Sequence, residues 1–225
     1  MGNIKDNLLS VQNRIEAACA KSGRKAEDIT LLAVTKTVPA DRIREIMDLG
    51  ITSLGENRVQ ELLSKYEELP DAKWHIIGHL QTNKVKSIVG KVKLIHSVDS
   101  LRLAEEIGKQ SAARGITTDI LLEVNVSGEE SKYGMNLNFV DEMVERCAGI
   151  DGLCVKGLMT MAPLGAPESE IRKIFSSLYK KYVDISAKKY DNVIMEYLSM
   201  GMSNDFDIAI EEGANIVRVG RGLFQ

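Results

Sequence analysis

The sequence predicts one α/β domain over residues 1–225, built as a single (β/α)8 TIM-type barrel. Apolar, β-branched runs alternate with amphipathic stretches along the chain. Strict alternation favours a parallel sheet, because each parallel crossover needs a helix, and eight runs match the eight units of a barrel. An open doubly wound sheet is the competing topology, but it would leave exposed edge strands.

The first predicted element is a helix over residues 4–21, where apolar residues recur at helical spacing and Gly23 follows as a stop signal. The predicted strands are apolar runs bounded by polar or glycine turns, at 31–37, 53–54 with its neighbours, 74–78, 94–98, 120–126, 153–161, 193–200 and 216–220.

The stretches between the strands have amphipathic spacing and predict helices at 41–49, 57–68, 101–114, 139–147, 168–189 and 206–212. Pro39 stands just before the first of these, where proline is compatible with a helix start. Almost nothing follows the last strand, so we expect the N-terminal helix to cover the place of the missing eighth helix.

The composition excludes several classes of function. The formal charge is -3, with both signs spread along the chain, so no basic patch indicates nucleic acid. No run approaches the roughly 20 apolar residues of a membrane span. The start has no apolar signal region, and the three cysteines form no CxxC pair. We therefore expect a cytoplasmic protein.

The first predicted strand ends in a lysine. Strand periodicity puts Leu32, Val34 and Lys36 on one face, so Lys36 should point into the barrel mouth, where chemistry is located in this fold. Burial there would favour the neutral amine, which forms Schiff bases with aldehydes. The alternative is a lysine whose ammonium group extends to water.

Two glycine-containing loops follow the last two strands. In LSMGMSND, residues 198–205, Ser199 offers a hydroxyl, Gly201 permits a tight turn, and Ser203 or Asn204 can cap the next helix. In VRVGRG, residues 217–222, Gly220 lets backbone amides approach a ligand. Barrels of this fold often hold phosphate here. Together with an amine on the first strand, this indicates an aldehyde with a phosphate arm, such as pyridoxal phosphate.

Arg218 shares a face with Ile216 and Gly220, so it should point inward near the same ligand. A guanidinium cannot accept a proton, and beside a pyridine nitrogen it would keep that nitrogen unprotonated and weaken the ring as an electron sink. The alternative is a salt bridge with Glu123 or Glu196. These two and Lys156 are otherwise expected to form a paired polar layer inside the barrel.

The histidines give little indication of a metal. His75 and His79 share a strand face and His96 lies on the next strand, but no HExxH-type spacing accompanies them. We expect no metal site; His79 can contact a ligand, and His75 is expected to form hydrogen bonds within the barrel.

Motifs along nearly the whole chain resemble those of the pyridoxal phosphate homeostasis protein family. They are AVTKTVP (33–39), GENRVQE (55–61), WHIIGHLQTNK (74–84), SVDS (97–100), EVNVSGEESKYGM (123–135), GLMTMAP (157–163), LSMGMSNDFDIAI (198–210) and VRVGRGLF (217–224). The resemblance implies the barrel of alanine racemase, a fold type III arrangement for pyridoxal phosphate. It also implies the following binding residues: Lys36 for the Schiff base, Arg218 at the pyridine nitrogen, Asn57 beside the ring, and Ser199, the backbone amide of Met200, Gly220 and Arg221 at the phosphate.

The resemblance also implies a role in cofactor release or a second binding event for Lys132. The chain departs from the family pattern at Arg221, where many members have a small hydroxyl residue, and at its tail, where Phe224 is followed only by Gln225.

Three functions compete. The first is a carrier that binds pyridoxal phosphate, buffers it and delivers it to apoenzymes, without strong turnover of its own. The second is an amino acid racemase or related enzyme, which needs a base on each side of the substrate. The third is an aldolase-type barrel that uses Lys36 on a sugar phosphate. The racemase arrangement takes its second base from another domain, and one barrel consumes this chain, so we expect a carrier with no catalytic residues and a monomeric state.

Overall fold

The computed structural model describes residues 3–129 and 132–225. Its strands are β1 (Thr30–Val34), β2 (Ser53–Glu56), β3 (Lys73–Ile76), β4 (Leu94–Val98), β5 (Thr118–Asn125), β6 (Met135–Asn136), β7 (Leu153–Met159), β8 (Val193–Met202) and β9 (Ile216–Val219). Every pairing is parallel, and the β4–β5 and β9–β1 pairings close the sheet. The two-residue β6 only extends the end of β5, so eight strands form the barrel and the predicted fold class is confirmed.

Helices surround the barrel. They are α1 (Ile4–Ser22), α2 (Ala40–Asp48), α3 (Val59–Tyr66), α4 (Val85–Ile88), α5 (Leu101–Ala112), α6 (Val140–Ala148), α7 (Glu168–Ser186), α8 (Phe206–Glu211) and α9 (Arg221–Phe224). The sequence did not predict β6, α4 or α9, because segments of two to four residues are too short to show a period. Within the described part of the chain, no helix combines the length and apolar character needed to cross a membrane.

The N-terminal helix closes the outer layer, as expected. Asn3 caps α1 by accepting a hydrogen bond from the Lys5 amide at 3.0 Å, and Gly23 ends it in the left-handed region with φ of 68°. Its buried face, which includes Leu8 and Val11, packs against α8 and α9. The side chain of Asn7 donates to the carbonyl oxygen of Leu223 at 3.0 Å, which fixes the helix over the end of the last unit.

Apolar side chains fill two layers. The larger core lies between the strands and the helices, and a smaller cluster fills the barrel interior. That interior cluster comprises Leu32, Leu94, Leu121, Met159 and Ile216. Since these residues come from five different barrel strands, the interior is packed with side chains and leaves space only at the ends.

Most strand ends differ from the prediction by one to three residues, and two of these differences shape the site. The strand β1 ends at Val34, not at residue 37, because the chain turns and Thr37 adopts a left-handed φ of 61° that a strand cannot contain. The strand β8 continues to Met202, past the predicted end at residue 200. Its register against β9 shifts between Ser199 and Met202, at a left-handed Gly201 with φ of 88°.

Candidate functional site

A cavity of about 500 Å³ opens at the C-terminal ends of the barrel strands, a size typical of small-molecule sites. Its wall combines strand ends, the loops after them and the segment 161–166. Five of the predicted site residues lie on this wall, namely Lys36, Asn57, Arg218, Gly220 and Arg221. Ser199 and Met200 do not, because both side chains are fully buried beneath it.

Lys36 lies in the turn after β1 and reaches the cavity. The prediction that its side chain is buried is wrong: Lys36 is exposed at the rim. The reason is the early end of β1, which places Lys36 beyond the last pleat of the strand. The Thr37 amide donates to Glu61 at 3.1 Å and the Val38 amide to the Thr35 carbonyl at 3.0 Å, so the turn has a defined shape.

A buried ion pair supports this turn from below. The Lys65 ammonium donates to Glu56 Oε1 at 2.7 Å and to the Thr35 carbonyl at 2.9 Å. The Thr35 hydroxyl donates to the same Glu56 oxygen at 2.7 Å. Glu56 is fully buried, and the pair therefore ties the residue before Lys36 to β2 and α3.

Arg218 forms part of the cavity floor. Its side chain is 3% exposed and donates to Ser199 Oγ at 2.6 Å and to the Thr160 carbonyl at 2.9 Å. Burial lowers the pKa of Arg218 to about 10, with Glu123 and Asp205 acting in the opposite direction. The guanidinium is still charged at neutral pH, so a fixed cation faces the cavity.

The expected polar layer is wrong in part. Lys156 does pair with Glu196, at 3.1 Å, but the Glu196 side chain is about half exposed rather than inside the barrel. Glu123 takes no part in that pair and lines the cavity instead. No salt bridge joins Arg218 to either glutamate within the described residues, and two of its N–H groups donate to Ser199 and Thr160.

Ser199 belongs to a chain of buried polar groups. His96 Nδ1 lies 3.0 Å from Ser199 Oγ, and His96 Nε2 lies 2.9 Å from His75 Nδ1. Burial lowers the pKa of His75 to about 3 and that of His96 well below its usual value, so both rings are neutral. The expected hydrogen bonding of His75 within the barrel is confirmed. The hydrogen-bonded series His75–His96–Ser199 orients Arg218 from below.

The loops after β8 and β9 form one side of the cavity. Ser203, Asn204, Gly220 and Arg221 lie on its wall, and the two loops touch where the Gly222 amide donates to Ser203 Oγ at 3.5 Å. The expectation that Ser203 or Asn204 caps the next helix is wrong. Asp205 occupies the cap position of α8 and accepts from the Met202 amide at 2.6 Å, which leaves the Ser203 and Asn204 side chains at the wall.

The opposite side of the cavity holds residues to which the sequence analysis gave little weight. Glu123 is 3% exposed, and burial, with the nearby charge of Asp99, raises its pKa to about 7. His79 pairs with Asp99 at 3.5 Å and stacks on the Tyr133 ring, with centroids 4.4 Å apart. Strand alternation could have placed Glu123 here, because it follows the interior residue Leu121 by two positions.

One other residue with a predicted role, Lys132, lies away from the cavity wall. Lys132 pairs with Glu129 at 3.4 Å and does not line the cavity, and the adjacent residues 130 and 131 lie outside the described residues. Among residues 3–129 and 132–225, no group of three or more His, Cys, Asp or Glu side chains is arranged to hold a metal ion.

The site has the groups that pyridoxal phosphate needs. A primary amine at Lys36 can meet an aldehyde, a buried guanidinium at Arg218 can meet a ring nitrogen, and the loops after β8 and β9 carry hydroxyl, amide and guanidinium donors for an anion. Gly220 is packed closely, since a side-chain carbon there would lie 3.2 Å from Val34. These residues therefore fit the cofactor.

Comparison with known proteins agrees with this fit. The family described as "Alanine racemase, N-terminal domain" matches residues 5–225. A protein from Aquifex aeolicus named "Pyridoxal phosphate homeostasis protein" is 46% identical, covering 99% of this chain and 97% of that protein. A protein of the same name from Escherichia coli K12 is 37% identical, covering 100% of this chain and 97% of its own length.

Solved structures show the same architecture. The structure of PipY from Synechococcus elongatus PCC7942 with PLP bound has a TM-score of 0.86 at 31% identity, covering 99% of this chain and 100% of that chain. An alanine racemase from Clostridium difficile 630 has a TM-score of 0.73 at 15% identity, covering 98% of this chain and 56% of that chain, which is a likeness of fold alone.

Proposed function

The chain belongs to the pyridoxal phosphate homeostasis protein family, and from this membership we propose that it holds pyridoxal phosphate as a Schiff base on Lys36 and serves to buffer and deliver it. The observation that carries the proposal is the meeting of Lys36 and Arg218 in one cavity. When bound, pyridoxal phosphate supplies an aldehyde that reacts reversibly with primary amines.

The pairing of β9 with β1 supports the placement of Lys36 and Arg218 around one ligand. The two strands pair in register, with Leu32 opposite Arg218, so the turn after β1 that carries Lys36 lies at the same end of the barrel as Arg218 on β9. In the proposal Arg218 faces the pyridine nitrogen, where its guanidinium donates and leaves that nitrogen unprotonated. Asn57, on the loop after β2, lines the same cavity and would lie beside the ring. Its backbone is approached closely by Gly78, where a side-chain carbon would lie 2.5 Å from the Asn57 carbonyl oxygen.

The phosphate is assigned to the loops after β8 and β9. Ser203, Gly220 and Arg221 are proposed to hold it, since all line the cavity and the two loops are in contact. Ser199 and Met200 are buried beneath the wall, so in the proposal Ser199 acts through Arg218 instead of binding the phosphate itself. A tether on one side and an anion site on the other suffice to hold the cofactor.

A binding role without turnover is supported by the names of the relatives, which are those of homeostasis proteins and not of enzymes. The cofactor environment agrees with this. An arginine at the pyridine nitrogen weakens the electron sink that many pyridoxal phosphate enzymes strengthen with an acid. We propose apo forms of such enzymes as the recipients, a cytoplasmic location and a monomeric state. Sedimentation equilibrium tests the last point, and a mass of two chains would contradict it.

Borohydride reduction followed by peptide mass spectrometry tests the tether. The protein is mixed with pyridoxal phosphate, reduced and digested, and the label should appear on the peptide that contains Lys36. The visible absorption of the complex should disappear in Lys36→Ala. Lys156→Ala is the matched control, because Lys156 is a barrel lysine paired with Glu196 away from the cavity. Labelling at another lysine, or none, would overturn the proposal.

A further inference from the structure

We propose that the side of the cavity opposite Lys36 is a binding site for a primary alkylammonium group, such as the side chain of a lysine, with Glu123 as its counter-ion. This inference rests on the proposed function, because it supplies the position from which a second amine could take over the cofactor. It concerns residues that the cofactor assignment leaves unused.

The barrel topology divides the cavity into two sides. The residues assigned to the cofactor follow β1, β2, β8 and β9, which are neighbours in the closed sheet. Three strands separate β1 from β5 in either direction, so Glu123 on β5 lies across the barrel from Lys36 on β1. The side formed by β3, β4, β5 and β7 therefore remains for another group.

Glu123 is a buried acidic group on the cavity wall. It is 3% exposed, and within the described residues its carboxylate forms no hydrogen bond or ion pair. It lines the cavity, so its carboxylate is accessible to a ligand there. The charged and titratable groups that face it are Asp99 after β4, His79 after β3 and Arg218 on β9.

The balance of these charges favours a cation. Asp99 and burial both raise the pKa of Glu123, to about 7, and Arg218 only partly offsets them. An arriving ammonium group would restore the ionised carboxylate by direct pairing. Because an alkylammonium group is a weaker acid than the Glu123 carboxyl, the bound pair stays as an ammonium and a carboxylate.

The walls around Glu123 suit an alkyl stem. Ile77, Met161, Ala162 and Ile171 line this part of the cavity, and Leu164 stands at its rim, 85% exposed. A lysine side chain matches a site with apolar walls and one carboxylate, because its methylene groups favour apolar surface and its end is charged. A carboxylate behind apolar walls thus selects a primary amine on a flexible chain.

Binding of n-butylammonium to the full-length Lys36→Ala variant tests the inference without cofactor chemistry. Titration should shift the methyl NMR signal of Met161, and Glu123→Gln in the same background should weaken binding about tenfold or more. Glu196→Gln is the matched control, since it removes a carboxylate outside the cavity, and it should leave the dissociation constant unchanged. Thermal melting of each variant establishes that it is folded.

The outcomes separate this inference from the proposed function. Loss of the Lys36 label with retained butylammonium binding contradicts only the cofactor tether. A normal Lys36 label with no butylammonium binding contradicts only the amine site. Equal binding of n-butanol and n-butylammonium would show that the apolar walls act without Glu123, and it would overturn the inference, as would equal affinity of the Glu123→Gln variant.

Discussion

Replacing Glu123 by glutamine should make the protein more stable at alkaline pH than the wild type. The wild-type carboxyl has a pKa of about 7 in the folded state against 4.5 as its ordinary value, because it is buried and lies near Asp99. The folded state therefore binds this proton more tightly than the unfolded state. A group of this kind contributes fully to stability below its unfolded pKa, and the contribution is lost as the pH rises through the folded pKa.

The size of the effect follows from the two pKa values. The full penalty of ionising Glu123 in the folded protein is roughly 3 kcal/mol. About 1 kcal/mol of it is already present near pH 5, so about 2 kcal/mol should develop between about pH 5 and pH 8. Glutamine has a similar shape and no charge, so its variant should lack this pH dependence. The free energy of unfolding of the Glu123→Gln variant should exceed that of the wild type by a margin that grows as the pH rises.

Urea unfolding of the cofactor-free proteins at several pH values measures this margin. The neutral His75 and His96 also make stability depend on pH, but they are common to both proteins and cancel in the comparison. Glu196→Gln is the control, since Tyr197 and Lys156 lower the pKa of Glu196, and its contribution is lost only at acid pH. A constant difference between wild type and Glu123→Gln from pH 5 to pH 8 would refute the reasoning.

Three further changes have defined outcomes. Lys65→Met should lower the free energy of unfolding by about 3 kcal/mol, because Glu56 is left as a buried, unpaired charge; a urea midpoint equal to that of the wild type would contradict this. Gly157→Ala should prevent folding, since Gly157 has φ of 149° and a side chain would overlap a carbonyl oxygen of β8; a cooperative melt in circular dichroism at the wild-type temperature would count against it. Ser199→Ala should weaken pyridoxal phosphate binding about tenfold, because Arg218 loses the acceptor that orients it; a fluorescence titration with unchanged affinity would show that Arg218 needs no such support.

The regular parts of the fold could be predicted because the longer helices and strands show several repeats of their apolar period. The helix α1 shows about four turns of apolar spacing, and the strands alternate with helices throughout, so the barrel follows from pattern alone. The segments α4, α9 and β6 have no such period. Their existence depends on contacts with distant parts of the chain, which local spacing does not encode.

The candidate site could be predicted in its composition but not in all its positions. Lys36, Arg218 and Gly220 were found because they stand at strand ends, where barrels place functional residues. The exposure of Lys36 depends on the left-handed turn at Thr37, and the end of β8 depends on the register shift at the left-handed Gly201. Both are backbone features that a residue-type pattern does not specify.

The side chains of the site differ in how much freedom they retain. Arg218 is fixed by two hydrogen bonds, so its rotamer entropy is already lost when the protein folds and no further loss opposes ligand binding. The long side chain of Lys36 is free at the rim, and ordering it costs up to about 2 kcal/mol each time a ligand is captured. The Lys36 side chain regains this conformational entropy when the ligand is released. A rigid floor with a mobile lysine therefore limits the residence time of the ligand while keeping its orientation, which suits the proposed delivery of pyridoxal phosphate.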